Sequence, residues 1–232
     1  MFEREHHQRV ASVLVSLDPA VFEASACYFG GGTAMALRYG EYRESVDIDF
    51  LVSSLAGYRA LRELVTGPVG LASLTRAGHR LQALRDVRAD QYGLRTLLSV
   101  EQAAIKFEIR LEARIELALP EPQDRLCGIA TLTPLDMAAC KLLALSDRWR
   151  DDSTLSRDLI DLAMMAPPKA LLQAAVDKAS AAYGNSIEQD LDRAIQDLRE
   201  RPHRLDACMA AMHMTTLSKA QLWMRIRALA RR

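Results

Sequence analysis

The stretch from Cys27 to Leu51 constrains the fold of this chain more than any other. It reads CYFGGGTAMALRYGEYRESVDIDFL. A short apolar run at 27–29 leads into three glycines, a segment with helical periodicity follows at 34–39, and a second apolar run at 46–52 carries two aspartates. Short apolar runs bounded by turn residues are typical of buried strands, whereas apolar residues every three to four positions are typical of helices. The stretch therefore predicts strand, glycine turn, short helix, polar turn and strand.

The glycine turn has the properties of an anion-binding site. Gly31 and Gly32 carry no Cβ, so the backbone can turn sharply and approach a ligand closely. Thr33 is expected to cap the following helix, with its hydroxyl and the free amide groups behind it facing outward. Because a helix N-terminus favours negative charge, we expect the turn to hold a phosphate chain. The alternative is that the three glycines form a turn and nothing more.

Two aspartates follow the polar turn at a spacing of two. On a strand, this spacing puts Asp47 and Asp49 on one face, while Ile48 and Phe50 point into the core. Neighbouring carboxylates repel each other unless a cation lies between them. Mg²⁺ and similar hard ions prefer oxygen ligands and keep positions for water and substrate phosphates. The pair therefore predicts a Mg²⁺ or Mn²⁺ site, and the alternative is a solvated strand end.

The combination of these features resembles the polymerase-β-type nucleotidyltransferases, and most closely their AbiEii/AbiGii toxin branch. The segment GGTAMALRYGEYRESVDIDF carries the likeness, and weaker matches extend it over roughly residues 27–165. The resemblance implies an α+β fold, in which a small mixed β-sheet core is flanked by helices and followed by an all-helical domain. It also implies an NTP substrate, a divalent metal ion and a cognate antitoxin protein. Members are toxins of toxin–antitoxin pairs, and some add nucleotides to the 3′ end of tRNA.

Two further positions match patterns of the resembled family. The segment KFE at 106–108 matches its K-x-D/E pattern, which implies that Glu108 is a third metal ligand or a catalytic base; the alternative is the polar outer face of a strand at 103–118. Lys141 lies in the apolar helix LDMAACKLLAL, where the family has a lysine thought to hold nucleotide phosphate. The alternative for Lys141 is a side chain that lies along the apolar surface and keeps its ammonium group in water.

The segment SRDLIDL resembles the basic-Asp-x-x-Asp motif of the same family. The match runs through Arg157, Asp158 and Asp161, and it implies that Arg157 contacts nucleotide and that Asp158 belongs to the catalytic group. The upstream arginine often seen in this motif is absent, and Arg148 or Arg150 can take its place. Asp158 and Asp161 share one helix face, and the alternative is a surface pair between Arg157 and Asp161.

The pattern of elements divides the chain near residue 131. Residues 1–131 show strands and helices together and form the expected nucleotidyltransferase domain. Residues 132–232 show only helical periodicity and form a helical domain, which is expected to contribute Lys141 and Asp158 to the cleft. A chain of 232 residues, half of them hydrophobic, is long enough for one large or two small domains.

Composition narrows the class of protein. The 30 basic and 30 acidic residues give a formal net charge of zero, which excludes a surface uniformly coated with positive charge but allows local basic patches. The four cysteines are far apart and form no C-x-x-C pair, so we expect buried thiols in a reducing compartment. The charged N-terminus has no apolar signal core, and no segment reaches the length of a membrane span. The sequence therefore predicts a cytoplasmic protein without membrane contact.

Basic side chains gather in two regions, which suggests an RNA acceptor. No acidic residue follows Asp206, and a second local excess of cations lies at 76–95. The cations after Asp206 are Lys219, Arg225, Arg227, Arg231 and Arg232. The alternatives are a solvated surface for the region 76–95 and, for the region after Asp206, a terminal helix whose dipole favours cations.

These observations favour a metal-dependent nucleotidyltransferase that acts on an RNA end as a toxin. Transfer to a small molecule, as aminoglycoside nucleotidyltransferases perform, is the alternative within enzymes. An inactive nucleotide-binding module is the alternative outside them, and the joint presence of Gly32, Thr33, Asp47, Asp49 and Lys141 argues against it.

Overall fold

A computed structural model of the chain describes residues 2–230. Contacts between α-carbons divide the chain into two compact units. The first, called the α/β unit below, comprises the residues up to Arg38 and Ser45–Thr133. The second, called the helical unit, comprises Tyr39–Glu44 and the residues from Pro134 onward. With ten α-helices and a six-stranded mixed sheet in the described residues, the α+β prediction is confirmed.

The α/β unit is built around one mixed sheet with strand order β1-β2-β6-β5-β3, and β4 also pairs with β5. Strand β2 runs antiparallel to β1 and parallel to β6, and the remaining pairs of this sheet are antiparallel. The elements are α1 (Glu5–Ser16), α2 (Pro19–Ala24), β1 (Cys27–Gly30), α3 (Gly31–Arg38), β2 (Ile48–Val52), α4 (Leu55–Thr66), β3 (Gln82–Ala83), β4 (Arg88–Ala89), β5 (Gly93–Val100), β6 (Ala103–Leu111), β7 (Arg125–Leu126) and β8 (Ile129–Ala130), with a 3₁₀ helix at Gly70–Leu74.

Four phenylalanine rings form the centre of this unit. Phe50 on β2 lies 4.4 Å from Phe22, 5.6 Å from Phe29 and 5.7 Å from Phe107, measured between ring centroids. All four side chains are buried, and fully burying such a ring stabilises a fold by about 1.5–3 kcal/mol. Ile48 is also buried, so the prediction that Ile48 and Phe50 face the core is confirmed.

Some boundaries in this unit differ from expectation. The strand predicted at 103–118 ends at Leu111, and the chain beyond it forms no strand until Arg125. The buried stripe of α4 runs through Tyr58, Leu61 and Val65, and Leu64 is exposed.

The helical unit contains helices and no strands among the described residues, as the periodicity of its sequence predicts. Its elements are α5 (Pro134–Arg148), α6 (Arg157–Met165), α7 (Lys169–Tyr183), α8 (Ser186–Glu200), α9 (Pro202–Ala211) and α10 (Lys219–Ala228), with a 3₁₀ helix at Asp152–Thr154. Helix α10 begins with a capping box, in which Ser218 and Gln221 satisfy each other's backbone amides. Regular spacing of buried residues, such as Ile187, Leu191 and Leu198 on α8, explains why periodicity located these helices.

The four cysteines are free thiols. Cys27 and Cys208 are buried as expected, whereas Cys127 and Cys140 are only half-buried. Within residues 2–230, none of the helices combines the length and the apolar character that crossing a bilayer requires.

Candidate active site

A row of directly paired residues crosses four strands of the α/β unit. It includes two predicted site residues, Asp49 and Glu108. Gly30 on β1 pairs with Asp49 on β2, Asp49 pairs with Glu108 on β6, and Glu108 pairs with Arg95 on β5. Because directly paired residues project from the same face of a sheet, Asp49, Glu108 and Arg95 share one face. The phenylalanine core covers the opposite face, so the sheet itself separates charge from core.

The glycine turn lies directly against the carboxylate of Asp49. Gly31 has a φ of +69°, a region that glycine occupies without strain. A Cβ placed on Gly31 would lie 2.5 Å from the Asp49 Oδ2 atom. Any other residue at this position would therefore collide with the carboxylate, so glycine is required here for close approach as well as for its φ.

Thr33 does not cap the helix, and this part of the prediction is wrong. Helix α3 begins at Gly31, three residues earlier than expected, so Thr33 lies inside its first turn. The side chain is buried, and its hydroxyl donates a hydrogen bond of 2.9 Å to Ser45 Oγ. Thr33 thus fixes the chain just before the aspartate pair, and its hydroxyl does not face outward.

Asp47 precedes strand β2, which begins at Ile48, so the prediction that both aspartates lie on one strand is wrong for Asp47. The preceding residues are held by α1: the Ser45 amide donates to His7 Nε2 at 3.2 Å, and His6 Nε2 lies 2.9 Å from the Val46 carbonyl oxygen. Hydrogen bonds to α1, and not strand pairing, therefore position the residues that precede Asp47.

Asp49 is an electrostatically strained carboxylate. Burial raises its pKa, Arg110 lowers it, and the carboxylates of Asp47 and Glu108 raise it again, so the net pKa lies above the ordinary value. Three carboxylates are therefore close enough to interact, and the ionised form of Asp49 is unfavourable in the protein alone. A cation bound at this point would relieve the repulsion.

Glu108 is ion-paired on both oxygens. Oε1 accepts from Arg95 Nε at 2.7 Å and Oε2 accepts from Lys106 Nζ at 2.7 Å. The side chain is buried, so its alternative assignment to a polar outer face is wrong. Burial raises the pKa of Glu108, but Lys106, Arg110 and Arg95 outweigh burial and lower it. A carboxylate with a lowered pKa is a weak base, which favours an electrostatic role over proton abstraction.

The carboxylates of this row fit a divalent cation in part. Asp47 and Asp49 supply the oxygen donors that such an ion prefers, and their mutual repulsion leaves a place for positive charge. Within residues 2–230, no three or more His, Cys, Asp or Glu side chains are grouped as ligands of one metal ion. A cation held by two aspartates would complete its coordination with water and substrate phosphates.

Lys141 lies inside a buried ionic cluster of the helical unit. Its ammonium group contacts Asp158 Oδ1 at 3.0 Å and Asp161 Oδ2 at 2.5 Å. Lys141 is only 7% exposed, so the alternative in which its head group reaches water is wrong. The lysine neutralises two aspartates of α6, and its predicted contact with nucleotide phosphate stays a prediction.

Sequence reasoning missed two residues of this cluster. Tyr42 Oη donates to Asp161 Oδ1 at 2.6 Å, and Arg43 binds both oxygens of Asp161 through Nε at 2.7 Å and through a terminal nitrogen at 3.0 Å. Both residues lie in the segment read as a polar turn. The only signal was the presence of a large aromatic residue in that turn, which a solvated turn does not require.

The other aspartate of the motif, Asp158, is also paired. Arg148 binds Asp158 through two nitrogens, at 2.7 and 3.0 Å. That Arg148 substitutes for the missing upstream arginine stays a prediction. Arg157 is exposed, and Asp161 is buried and bound to Arg43, which excludes the alternative surface pair between Arg157 and Asp161. The role of Arg157 toward nucleotide stays a prediction.

Several of the cations expected to meet RNA have structural partners. Arg76 donates to the Leu17 carbonyl, Arg95 binds Glu108, and Lys219 binds Asp206. The exposed basic side chains that remain in these regions are His79, Arg80, Arg85, Arg88, Arg225 and Arg227. Arg231 and Arg232, also part of the prediction, lie outside the described residues.

Comparison with known proteins shows the family of the chain. The model of a family described as "Nucleotidyl transferase AbiEii toxin, Type IV TA system" matches residues 12–226. A comparison with curated proteins gave no match.

Two crystal structures from Helicobacter pylori share the fold. One, of a candidate nucleotidyltransferase, is 16% identical, with a TM-score of 0.51 over 99% of this chain and 96% of that chain. The other, JHP933, is 14% identical, with a TM-score of 0.52 over 99% of this chain and 94% of that chain. At this level of identity the likeness speaks for the fold alone.

Proposed function

Because the chain belongs to the AbiEii nucleotidyltransferase family of type IV toxin–antitoxin toxins, we propose that it transfers a nucleoside monophosphate from an NTP to the 3′ end of an RNA, with tRNA as the expected acceptor. The first part of this statement, that the chain is a nucleotidyltransferase toxin, follows from membership of the family. The acceptor, the metal dependence and the residues that act are the proposal.

One observation carries the proposal: the glycine turn touches Asp49. A turn that brings free backbone amides next to a carboxylate can hold a phosphate chain and its counter-cation side by side. In phosphoryl transfer, positioning and charge stabilisation supply most of the catalysis. We therefore expect the transfer reaction to occur at this contact.

Asp47 and Asp49 would hold Mg²⁺ or Mn²⁺, which supplies charge neutralisation of the phosphates and a lowered pKa for the attacking hydroxyl. The amides of Gly31, Gly32 and Thr33 would bind phosphate oxygens. Because the Asp49 side chain lies against Gly31, it would determine where a phosphate bound to these amides can lie. Glu108 binds Arg95 and Lys106, and Lys106 also lowers the pKa of Asp49, so this cation limits how much negative charge gathers there.

The acceptor proposal rests on the exposed cations. Arg80, Arg85 and Arg88 of the α/β unit are exposed, as are Arg225 and Arg227 of the helical unit, and exposed arginines can bind a phosphate backbone. NTP and tRNA are cytoplasmic substrates, so we place the reaction in the cytoplasm. A type IV system also supplies an antitoxin, which we propose as the cognate partner.

Labelled-nucleotide transfer tests the function directly. Purified protein is incubated with each of the four labelled NTPs, Mg²⁺ or Mn²⁺ and total cellular RNA, and the RNA is resolved on a gel. We expect label in a tRNA-sized band from one or two of the NTPs, and none with Asp49→Asn. Label on an aminoglycoside but not on RNA would instead establish small-molecule transfer.

A further inference from the structure

The segment Tyr39–Glu44 has an unusual position in the fold, and we call it the strap. In sequence it connects α3 to β2, both of the α/β unit, yet its contacts assign it to the helical unit. The chain leaves the α/β unit after Arg38 and returns at Ser45, two residues before Asp47. The strap is therefore the segment of chain that directly precedes the residues around Asp47, the proposed metal ligand.

Side chains of the helical unit contact the strap at Glu44, which pairs with His213, and at Tyr42 and Arg43, which both bind Asp161. Asp161 is fully buried and accepts hydrogen bonds from Tyr42 Oη and from two nitrogens of Arg43. Lys141 binds the same carboxylate at 2.5 Å. A two-pronged arginine–carboxylate contact fixes direction as well as distance, so Asp161 sets the orientation of the Arg43 side chain.

The backbone of the strap is also fixed. Gly40 and Glu41 both have positive φ values, +88° and +51°, which produce a tight reversal. The Glu44 amide donates to the Met212 carbonyl oxygen at 3.0 Å, and Arg43 donates to the Glu44 carbonyl oxygen at 2.9 Å. A non-glycine residue at positive φ persists only where its surroundings determine the conformation.

On leaving the strap the chain is held at once by the α/β unit. Ser45 donates its amide to His7 and accepts from the Thr33 hydroxyl. Only Val46 separates this anchor from Asp47, and Asp47 itself has no strand pairing. The placement of Asp47 therefore depends on two consecutive anchors, Asp161 with Arg43 and then Ser45.

We propose that Asp161 is a positioning residue that fixes Asp47 through the strap, and that it is neither a metal ligand nor a nucleotide ligand. Both of its oxygens are occupied by Tyr42, Arg43 and Lys141, so it has no free position for a substrate or an ion. Buried ion pairs contribute little net stability compared with apolar residues, but they specify a unique conformation in some proteins. The significance of placing Asp47 rests on the proposed function.

The test compares Asp161→Asn and Tyr42→Phe with a matched control, Asp136→Asn. Asp136 is also fully buried in the helical unit, on α5, and it binds Lys178 of α7. Hydrogen–deuterium exchange of backbone amides is followed by mass spectrometry on peptides covering residues 42–52, in the protein without nucleotide. Local opening raises exchange only where contacts are lost.

We expect exchange in 42–52 to rise several-fold in Asp161→Asn and less in Tyr42→Phe, which keeps the arginine pair, with no change in Asp136→Asn. Unchanged exchange in both strap variants would overturn the proposal, and so would equal acceleration in the control, which indicates general loosening. If Asp161→Asn fails to fold, Tyr42→Phe against the control decides.

A second measurement connects the strap to the reaction. The Mg²⁺ concentration for half-maximal transfer should rise several-fold in Tyr42→Phe, with the KM for NTP unchanged, because Asp47 is displaced while the glycine turn is intact. A raised KM for NTP with unchanged Mg²⁺ dependence would instead make the cluster part of nucleotide binding. If the wild-type protein shows no transfer at all, the proposed function fails, and the exchange experiment still decides the role of Asp161.

Discussion

A single Cβ atom at position 31 would overlap the carboxylate on which the proposed chemistry depends. Gly31 meets two demands at once, because its φ of +69° favours glycine and because the Asp49 side chain fills the space beside it. At residue scale, the candidate site is thus defined by a missing side chain as much as by the aspartates. Gly78 provides a comparison, since its φ is +82° but nothing lies within 4 Å of its Cβ position.

Gly31→Ala should therefore lose far more activity than stability. A positive φ costs a non-glycine residue about 1–2 kcal/mol, and Gly78→Ala should show this loss alone. Displacement of Asp49 in Gly31→Ala should reduce transfer by about 100-fold or more. The measurements are urea unfolding and NTP transfer for both variants. Equal activity in the two would mean that the contact with Asp49 has no catalytic importance.

Removal of the buried charge at Asp49 should stabilise the protein without metal. Asp49→Asn is expected to raise the unfolding free energy at pH 7, because the ionised carboxylate is buried and lies beside Asp47 and Glu108, which together raise its pKa. Mg²⁺ should raise the melting temperature of the wild type and leave that of Asp49→Asn unchanged. Transfer should be lost in Asp49→Asn and also in Asp47→Ala. Transfer within tenfold of wild type in both would contradict the assignment.

At the scale of elements, helices α5 and α6 are joined by charge as well as by apolar packing. Lys141 on α5 contacts two aspartates of α6, and Arg148 at the end of α5 contacts one of them. Burial raises the pKa of Asp161, but Arg43 and Lys141 outweigh burial and lower it; the pKa of Asp158 is lowered against burial by Lys141 and Arg148. These aspartates therefore stay ionised inside the unit.

Lys141→Ala should unfold the helical unit more easily. Removing one partner of a buried ion pair costs about 3–5 kcal/mol, because the remaining charges lack compensation. Lys219→Ala is the control, since its pair with Asp206 is at the surface and should contribute about 0–1 kcal/mol. Urea unfolding at pH 7 separates the two values. A neutral or stabilising Lys141→Ala would show that the cluster contributes nothing to folding.

Acid should remove the contribution of the cluster. Because the folded pKa values of Asp158 and Asp161 are lowered, their contribution is fully present above the unfolded value of about 3.9 and is lost as pH falls through the folded values. The unfolding free energy of the wild type should therefore fall between about pH 5 and pH 2. Asp161→Asn should start lower at pH 7 and fall less steeply over that range, whereas the exposed-site control Asp206→Asn should follow the wild type. Parallel curves for Asp161→Asn and wild type would argue against this linkage.

At the scale of the whole molecule, a net charge of zero conceals an uneven distribution. Many acidic side chains are buried partners in ion pairs, such as Asp161, Asp158, Glu108 and Asp124. The exposed cations near both proposed RNA-binding regions are not matched in the same way. An overall charge thus says little about the surface that a polyanion would meet.

RNA binding should consequently depend on salt. Each phosphate neutralised lowers the logarithm of the binding constant by about 0.7–0.9 per log unit of salt. Replacing Arg225, Arg227, Arg231 and Arg232 with glutamine should flatten this slope and raise the KM for RNA, with the KM for NTP unchanged. Lys219→Gln should have a smaller effect, because Lys219 already binds Asp206. An unchanged slope would remove the helical unit from the proposed RNA interface.

Local sequence determined much of this protein. The periodicity of apolar residues located the six helices of the helical unit, and the glycine turn followed by an aspartate pair indicated the enzyme family, which the family match supports. These features depend on interactions within about twenty residues, which the sequence displays directly. The contact between Gly31 and Asp49 was not predicted, because strand register decides which residues meet.

Only the tertiary structure decided the partners of the charged residues. Asp161 binds Arg43 across 118 residues of sequence, and nothing in either local segment identifies the other. The same holds for Glu108 with Arg95, and for Thr33, whose burial depends on where α3 begins and on what packs against it. Charges can pair with any opposite charge that the fold brings near, so their spacing in sequence leaves the choice open. Burial then fixes the pairing, because a buried charge without a partner costs too much free energy to persist.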